Sequence, residues 1–200
     1  MRLYFVPKTR AVRPRWVLEE LGVPHELVRL DPRRGDTRTP DHLARHPLGR
    51  VPVLEDGATR IFESAAICLH LADRHPDARL APLPGTPARA LLYQWMFFGA
   101  TEVEPPLGVL SGDRRRPEGQ RNPGAVEAAR PLAEAAARVV DSAVGEGPWL
   151  LGDSFTVGDV YLGSALMWAK LLGIGEGLRA LDAWIGRLRE RPAYQRATAD

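Results

Sequence analysis

Apolar positions alternate between strand-like and helix-like spacing in the first part of the chain and keep a helical spacing afterwards. Residues Arg2–Val6 are a short run rich in β-formers and read as a strand. Trp16, Val17, Leu18 and Leu21 then give a helix its buried face, with Gly22 at the C′ position and Pro24 just beyond. Pro14 must sit in or near the first turn of that helix, because an interior proline costs about 3 kcal/mol. Glu26–Leu30 alternate as a second strand. Thr39-Pro40-Asp41 supplies an N-cap, a proline at N1 and an acid in the first turn, so a short helix opens there and stops before Pro47. Val51–Glu55 and Thr59–Phe62 flank Asp56-Gly57, a strong hairpin signal. Ser64 is placed as the cap of the next helix, which runs to about Arg74 with Ile67 and Leu71 on one face. The order βαβαββα predicts a mixed sheet with helical cover.

His75-Pro76-Asp77 and then Pro82, Pro84 and Gly85 break this pattern. Beyond them no strand pattern competes. Thr86-Pro87 opens a long helix expected to kink or end at Pro105-Pro106. Asn122-Pro123 opens an alanine-rich helix that Pro131 should bend. Thr156-Val157-Gly158-Asp159 reads as a capping box with Asp in place of Glu at N3, and Phe155 and Val160 fit a hydrophobic staple. That helix ends near Gly173. A last one carries Leu178, Leu181, Trp184, Ile185 and Leu188 and stops before Pro192.

Composition narrows the class. Hydrophobic residues make up 44% of the 200, enough for a packed core. The 27 basic and 25 acidic side chains nearly cancel, and a net charge of +2 is too weak to argue for nucleic acid. Arg114-Arg115-Arg116 lies among Gly, Pro and Asp and reads as a solvated loop. Cys68 is the one cysteine, which excludes an internal disulfide and suits a reducing compartment. Met1–Val6 is too short for a secretory apolar region before Pro7 and Lys8 interrupt it, and no apolar run approaches membrane-spanning length. The expectation is a soluble cytoplasmic protein with neither nucleic-acid nor membrane partners.

Four stretches, in order along the chain, sharpen this. They are Pro47-Leu48-Gly49-Arg50-Val51-Pro52-Val53-Leu54, Phe62-Glu63-Ser64-Ala65-Ala66-Ile67, Phe155-Thr156-Val157-Gly158-Asp159-Val160, and Trp184 to Arg191-Pro192-Ala193-Tyr194. Together they resemble the cytosolic glutathione transferase superfamily, its bacterial members above all. The stretches are similar to that family's segment before a cis-proline, its turn for the glutathione carboxylate, its C-terminal capping motif and its ending. Gly158 departs from the commoner Ala. The resemblance implies an α/β plus all-α fold: a thioredoxin-like βαβαββα domain over residues 1–76, a linker over 77–86 and a helical bundle domain over 87–200. It also implies a homodimer, with glutathione as co-substrate and no metal.

The chemistry follows from the co-substrate. A free thiol has a pKa of about 8.5, so an enzyme that uses glutathione must favour the thiolate with fixed donors. A helix N-terminus supplies N–H groups and partial positive charge, and a hydroxyl just before it adds one bond. Thr9 is the one hydroxyl between the first strand and the first helix. The family places its activating Ser, Cys or Tyr in this neighbourhood, so Thr9 is the candidate sulfur donor. The other reading of Thr9 is a plain helix cap. Arg10 and Lys8 are neighbours able to help by charge or by main-chain N–H groups, and Tyr4 is better explained by core packing.

Pro52, if cis, exposes the Val51 main chain, which the family pairs with the cysteinyl backbone of glutathione; an ordinary trans proline at a strand start is the alternative. The resemblance assigns Ser64 to the γ-glutamyl carboxylate and Glu63 to its amine, while a simple N-cap accounts equally for Ser64. Arg50 is placed either on the ligand or in solvent. A small electrophilic second substrate is expected near Tyr93, Trp95, Met96, Phe97 and Phe98, with Glu102 and Glu104 following; packing explains most of these aromatics. His42 and His46 share an i,i+4 face without a third ligand, so no metal site is expected. Cys68 reads as a buried structural thiol and Asp159 as a cap. Glutathione-dependent reduction of disulfides or peroxides, and a binding protein without turnover, are the alternative functions.

Overall fold

A computed structural model describes residues 1–199. They form two compact units: Met1–Ala81 with the chain from Arg189 onward, and Pro82–Leu188. The sequence expected the helical half to run on to residue 200; its end groups with the first unit.

The first unit holds strands β1 (Arg2–Phe5), β2 (Glu26–Arg29), β3 (Val53–Asp56) and β4 (Thr59–Phe62), and helices α1 (Val12–Leu21), α2 (Pro40–Arg45) and α3 (Ser64–Arg74). The sheet order is β2-β1-β3-β4. β1 runs parallel to β2 and antiparallel to β3, and β3 pairs antiparallel with β4 through the Asp56-Gly57 hairpin. This is the mixed sheet that strand and helix alternation predicts. Leu3, Val53 and Leu54 of the sheet, Trp16, Val17 and Leu18 of α1, and Ile67 and Leu71 of α3 are fully buried. Burial of such side chains supplies about 1.5–3 kcal/mol each. α1 packs on α3. Gly22 ends α1 at φ 62°, where its N–H reaches the Leu18 carbonyl at 3.1 Å.

The helix that carries Leu181, Trp184, Ile185 and Leu188 stops before Pro192 as expected, at Glu190, but it is not the last. Pro192 opens a further helix, α9 (Pro192–Ala197), because proline at N1 gives up only an N–H that has no partner within the helix. α9 is fastened to α1. Tyr194 meets Trp16 edge-on at 4.8 Å, and Arg191 bonds both carboxylate oxygens of Glu20 at 2.6 and 2.7 Å.

The second unit contains α4 (Pro87–Phe98), α5 (Glu104–Arg114), α6 (Pro123–Val144), α7 (Val157–Leu171) and most of α8 (Arg179–Glu190). The break expected at Pro105-Pro106 falls earlier, in a π-helical turn over Gly99–Val103, and both prolines sit in the first turn of α5, where proline is tolerated. Gly99 makes this turn possible: a Cβ there would meet the Tyr161 ring at 2.7 Å and Leu162 at 3.0 Å. The capping box at Thr156 is present. Asp159 is fully buried and accepts from the N–H groups of Leu150 and Thr156 at 2.8 Å, from the Thr156 hydroxyl at 3.1 Å and from the Trp184 indole at 3.0 Å. Burial pushes its carboxyl above the usual range, against the pull of these donors.

Candidate functional site

The pairing register decides which loops meet. Tyr4 lies opposite Val53, and Val53 opposite Phe62, so these three residues form one row across β1, β3 and β4. The loop that leaves β1 carries Lys8, Thr9 and Arg10. The segment that enters β3 ends in Val51 and Pro52. The turn that leaves β4 is Glu63 and Ser64. Strand directions therefore bring the proposed site residues of the first unit to one end of the sheet, with the Asp56-Gly57 hairpin at the other end.

The Val51–Pro52 peptide is cis. The main chain before it is tied down residue by residue. The Gly49 N–H donates to the His46 carbonyl at 2.8 Å and the Leu48 N–H to His46 Nδ1 at 3.2 Å. Arg38 donates to the Leu48 carbonyl at 3.3 Å, and His42 Nε2 bonds the Arg50 carbonyl at 2.9 Å. Gly49 adopts φ 58°, and a side chain there would collide with the Thr37 carbonyl. Among the described residues, nothing bonds the N–H or C=O of Val51. Main-chain groups left open beside tied neighbours are available for strand-like pairing with a peptide.

At the start of α3 the structure corrects one expectation. Ser64 is the first helical residue and not the cap; Glu63 occupies the cap position, at φ 73°, and its side chain makes no capping hydrogen bond. The Ser64 hydroxyl is taken instead by Arg13 of α1, whose guanidinium donates to it at 3.2 Å. Both residues are buried. A non-glycine residue held at positive φ costs about 1–3 kcal/mol, a price met most often at ligand sites. The first N–H groups of α3 thus lack a side-chain cap and have a buried guanidinium close by, an arrangement that favours an anion. Deeper in α3, burial pushes the Cys68 thiol up to about 12, so it is an inert core group.

Thr9 precedes α1, half-buried. Its hydroxyl donates to the Val6 carbonyl at 2.7 Å and accepts from the Ala11 N–H at 3.3 Å. It shapes the loop in this state, and it must turn away from Val6 before it can donate elsewhere. Arg10 is exposed in the same turn, and its carbonyl accepts from the Arg13 N–H at 3.2 Å. Arg50 is exposed. Tyr4 is buried and donates to Glu55 at 3.0 Å, the packing role expected of it. In the second unit, Met96 and Glu104 are buried, Tyr93, Phe97 and Glu102 are exposed, and Trp95 meets Phe98 edge-on at 5.5 Å. The sequence weighed His42 and His46 only as metal ligands and did not single out Arg13. The helical spacing of the histidines was visible, but their main-chain partners depend on how the loop folds back.

A βαβαββα unit with a cis X–Pro entry to β3, followed by a helical unit, defines a thioredoxin-like domain with an added helical domain. Comparison with known proteins agrees. Residues 1–73 match the family described as "Glutathione S-transferase, N-terminal domain", and residues 123–191 match "Glutathione S-transferase, C-terminal domain". Glutathione S-transferase 4 of Zea mays is 32% identical over 184 residues, covering 88% of this chain and 81% of the relative. Glutathione S-transferase GstA of Escherichia coli O157:H7 is 30% identical over 208 residues, covering 98% and 96%. A solved sphingomonad glutathione S-transferase, complexed with glutathione, aligns at a TM-score of 0.87 and 29% identity over 100% of this chain and 98% of its own. The chain belongs to the glutathione S-transferase family, and glutathione transfer is its activity at the level of that family.

Proposed function

We propose that this protein binds glutathione at the end of the sheet marked by Tyr4, Val53 and Phe62, and that the glutathione sulfur, as thiolate, attacks a small electrophile. The sulfur–carbon bond forms as the electrophile's leaving group departs with the bonding pair, or as the pair moves onto an acceptor atom; the thiol proton goes to solvent. The open main chain of Val51 pairs with the cysteinyl unit. The uncapped start of α3, with Ser64 and the nearby Arg13, takes the γ-glutamyl carboxylate, and Glu63 faces the γ-glutamyl amine. Arg50 reaches the glycyl end. Thr9, once turned from Val6, and the electropositive start of α1 with Arg10 hold the sulfur ionised. The observation that carries this reading is the Val51 main chain, unbonded among the described residues between a tied loop and a strand.

Exposed apolar side chains on α4 and α6, among them Leu91, Phe97 and Leu132, support a homodimer. No helix among the described residues is long and apolar enough to cross a membrane. A cytoplasmic, detoxifying role without a metal is part of the same reading and rests on the family to which the chain belongs. One observation favours a second reading, a glutathione-binding protein with weak or no turnover: the Thr9 proton is committed to the Val6 carbonyl.

Calorimetry with glutathione, followed by turnover with an aryl halide, a hydroperoxide and a mixed disulfide, separates these readings. We expect binding at or below about millimolar concentration and turnover with the halide. Binding without any turnover selects the second reading, turnover only with the hydroperoxide or disulfide selects a reductase, and no binding removes the proposal.

A further inference from the structure

His42 and His46 lie at the two ends of one helical turn, the first in α2 and the second as its C-cap. Both are almost completely buried, 2% and 4% exposed. Each is bonded to the main chain of the same loop. His42 Nε2 faces the Arg50 carbonyl at 2.9 Å, so that nitrogen carries the hydrogen and donates. His46 works the opposite way: its Nδ1 accepts the Leu48 N–H at 3.2 Å, so that nitrogen must be bare. The His46 carbonyl also holds the Gly49 N–H at 2.8 Å. The His46 ring rests against Phe62, centroids 4.7 Å apart, and the His42 ring lies 6.2 Å from that of Tyr4. Phe62 and Tyr4 are two of the three residues in the row that marks the site.

We propose that His42 and His46 are positioning residues that clasp the 47–52 loop by its main chain, fix the Val51 peptide for glutathione, and release it in acid through His46. The inference rests on the glutathione reading given above. A proton on His46 Nδ1 turns an acceptor into a donor aimed at the Leu48 N–H, so the bond is lost and two donors oppose each other. The groups that face His46 are Glu63 from the start of α3, Arg50 from the loop and His42 from α2. Glu63 favours the charged ring; Arg50 and His42 oppose it. Burial outweighs them all and holds the ring below its ordinary value, so the clasp is closed near neutrality and opens only on acidification.

The test uses the full chain and S-methylglutathione, which has no thiol to ionise. Calorimetry is run at about pH 7.5 and about pH 5.0, the second point well below the ordinary histidine value because the His46 ring is held under it. Wild-type affinity should fall at least about threefold on acidification. H46N keeps an acceptor near the place of Nδ1 and cannot titrate, so its affinity should be flat across the same interval, whatever its level. H42F removes the donor to Arg50 and should weaken binding at least about fivefold at both pH values, and H42Q, whose amide N–H reaches where Nε2 does, should recover most of it. If H42F does not fold by near-ultraviolet circular dichroism, H42Q and H46N decide the matter. An H46N acid response equal to that of wild type, a flat wild-type profile, or H42F binding as wild type does overturns the clasp. If wild type binds no S-methylglutathione, the glutathione reading fails, and amide exchange at Leu48 judges the clasp alone. Acid-induced loss of protection in wild type but not in H46N upholds it, and equal loss in both refutes it.

Discussion

At the scale of single residues, the site depends on who holds each polar atom. Thr9 was singled out from sequence because it is the one hydroxyl between β1 and α1. Its present partner, the Val6 carbonyl, was not readable, since that bond follows from the curl of the loop. A hydrogen bond to a charged group is worth about 1.5–3 kcal/mol, so a Thr9 that turns to the sulfur should lower the bound thiol's pKa by about one to two units. Thr9→Ala should therefore raise that pKa by about one to two units, read from the ultraviolet absorbance of the thiolate against pH, and leave S-methylglutathione affinity unchanged. An unaltered titration in Thr9→Ala assigns sulfur activation to the main chain of the α1 start. Ser64 teaches a similar lesson. Its residue type fits a helix cap, yet its hydroxyl is claimed by a guanidinium from another helix, and no local pattern announces Arg13 as its partner.

At the scale of elements, the sequence was legible wherever local chemistry sets the boundary. Gly22 closes α1, Thr39 caps α2, Thr86 caps α4, and Asn122 caps α6, each at its predicted place. The misses occur where tertiary packing decides. The π turn at Gly99–Val103 exists because α7 places Tyr161 and Leu162 against Gly99, and α9 exists because Trp16 and Glu20 give Tyr194 and Arg191 somewhere to bind. Asp159 combines both kinds of information: its capping role is local, but two of its donors, Leu150 and Trp184, come from outside the capping box. Asp159→Ala would leave three N–H groups and one hydroxyl buried without this acceptor. It should cost about 3 kcal/mol or more, seen as a lower urea midpoint of the intact chain. A loss under about 1 kcal/mol would mean that other groups take up these donors.

At the scale of the whole molecule, the division of labour between a strand-bearing half and a helical half was visible in the change of apolar spacing and in the proline-rich stretch between them. Four motifs in family order pointed to the chemistry, and the family comparisons establish it at that level. Sequence alone could not show that three loops far apart in the chain come to one end of the sheet, because that follows from strand direction and register. If the reading is right, this end and no other part of the molecule grips the tripeptide by main chain and helix start. Amide spectra of the nitrogen-15-labelled protein, recorded as glutathione is raised to a few millimolar, test this most directly. Saturable shifts are expected at Val51, Glu63 and Ser64 and none at Gly57 in the opposite hairpin; silence at those three amides, or shifts centred on the hairpin, would place the tripeptide elsewhere or nowhere.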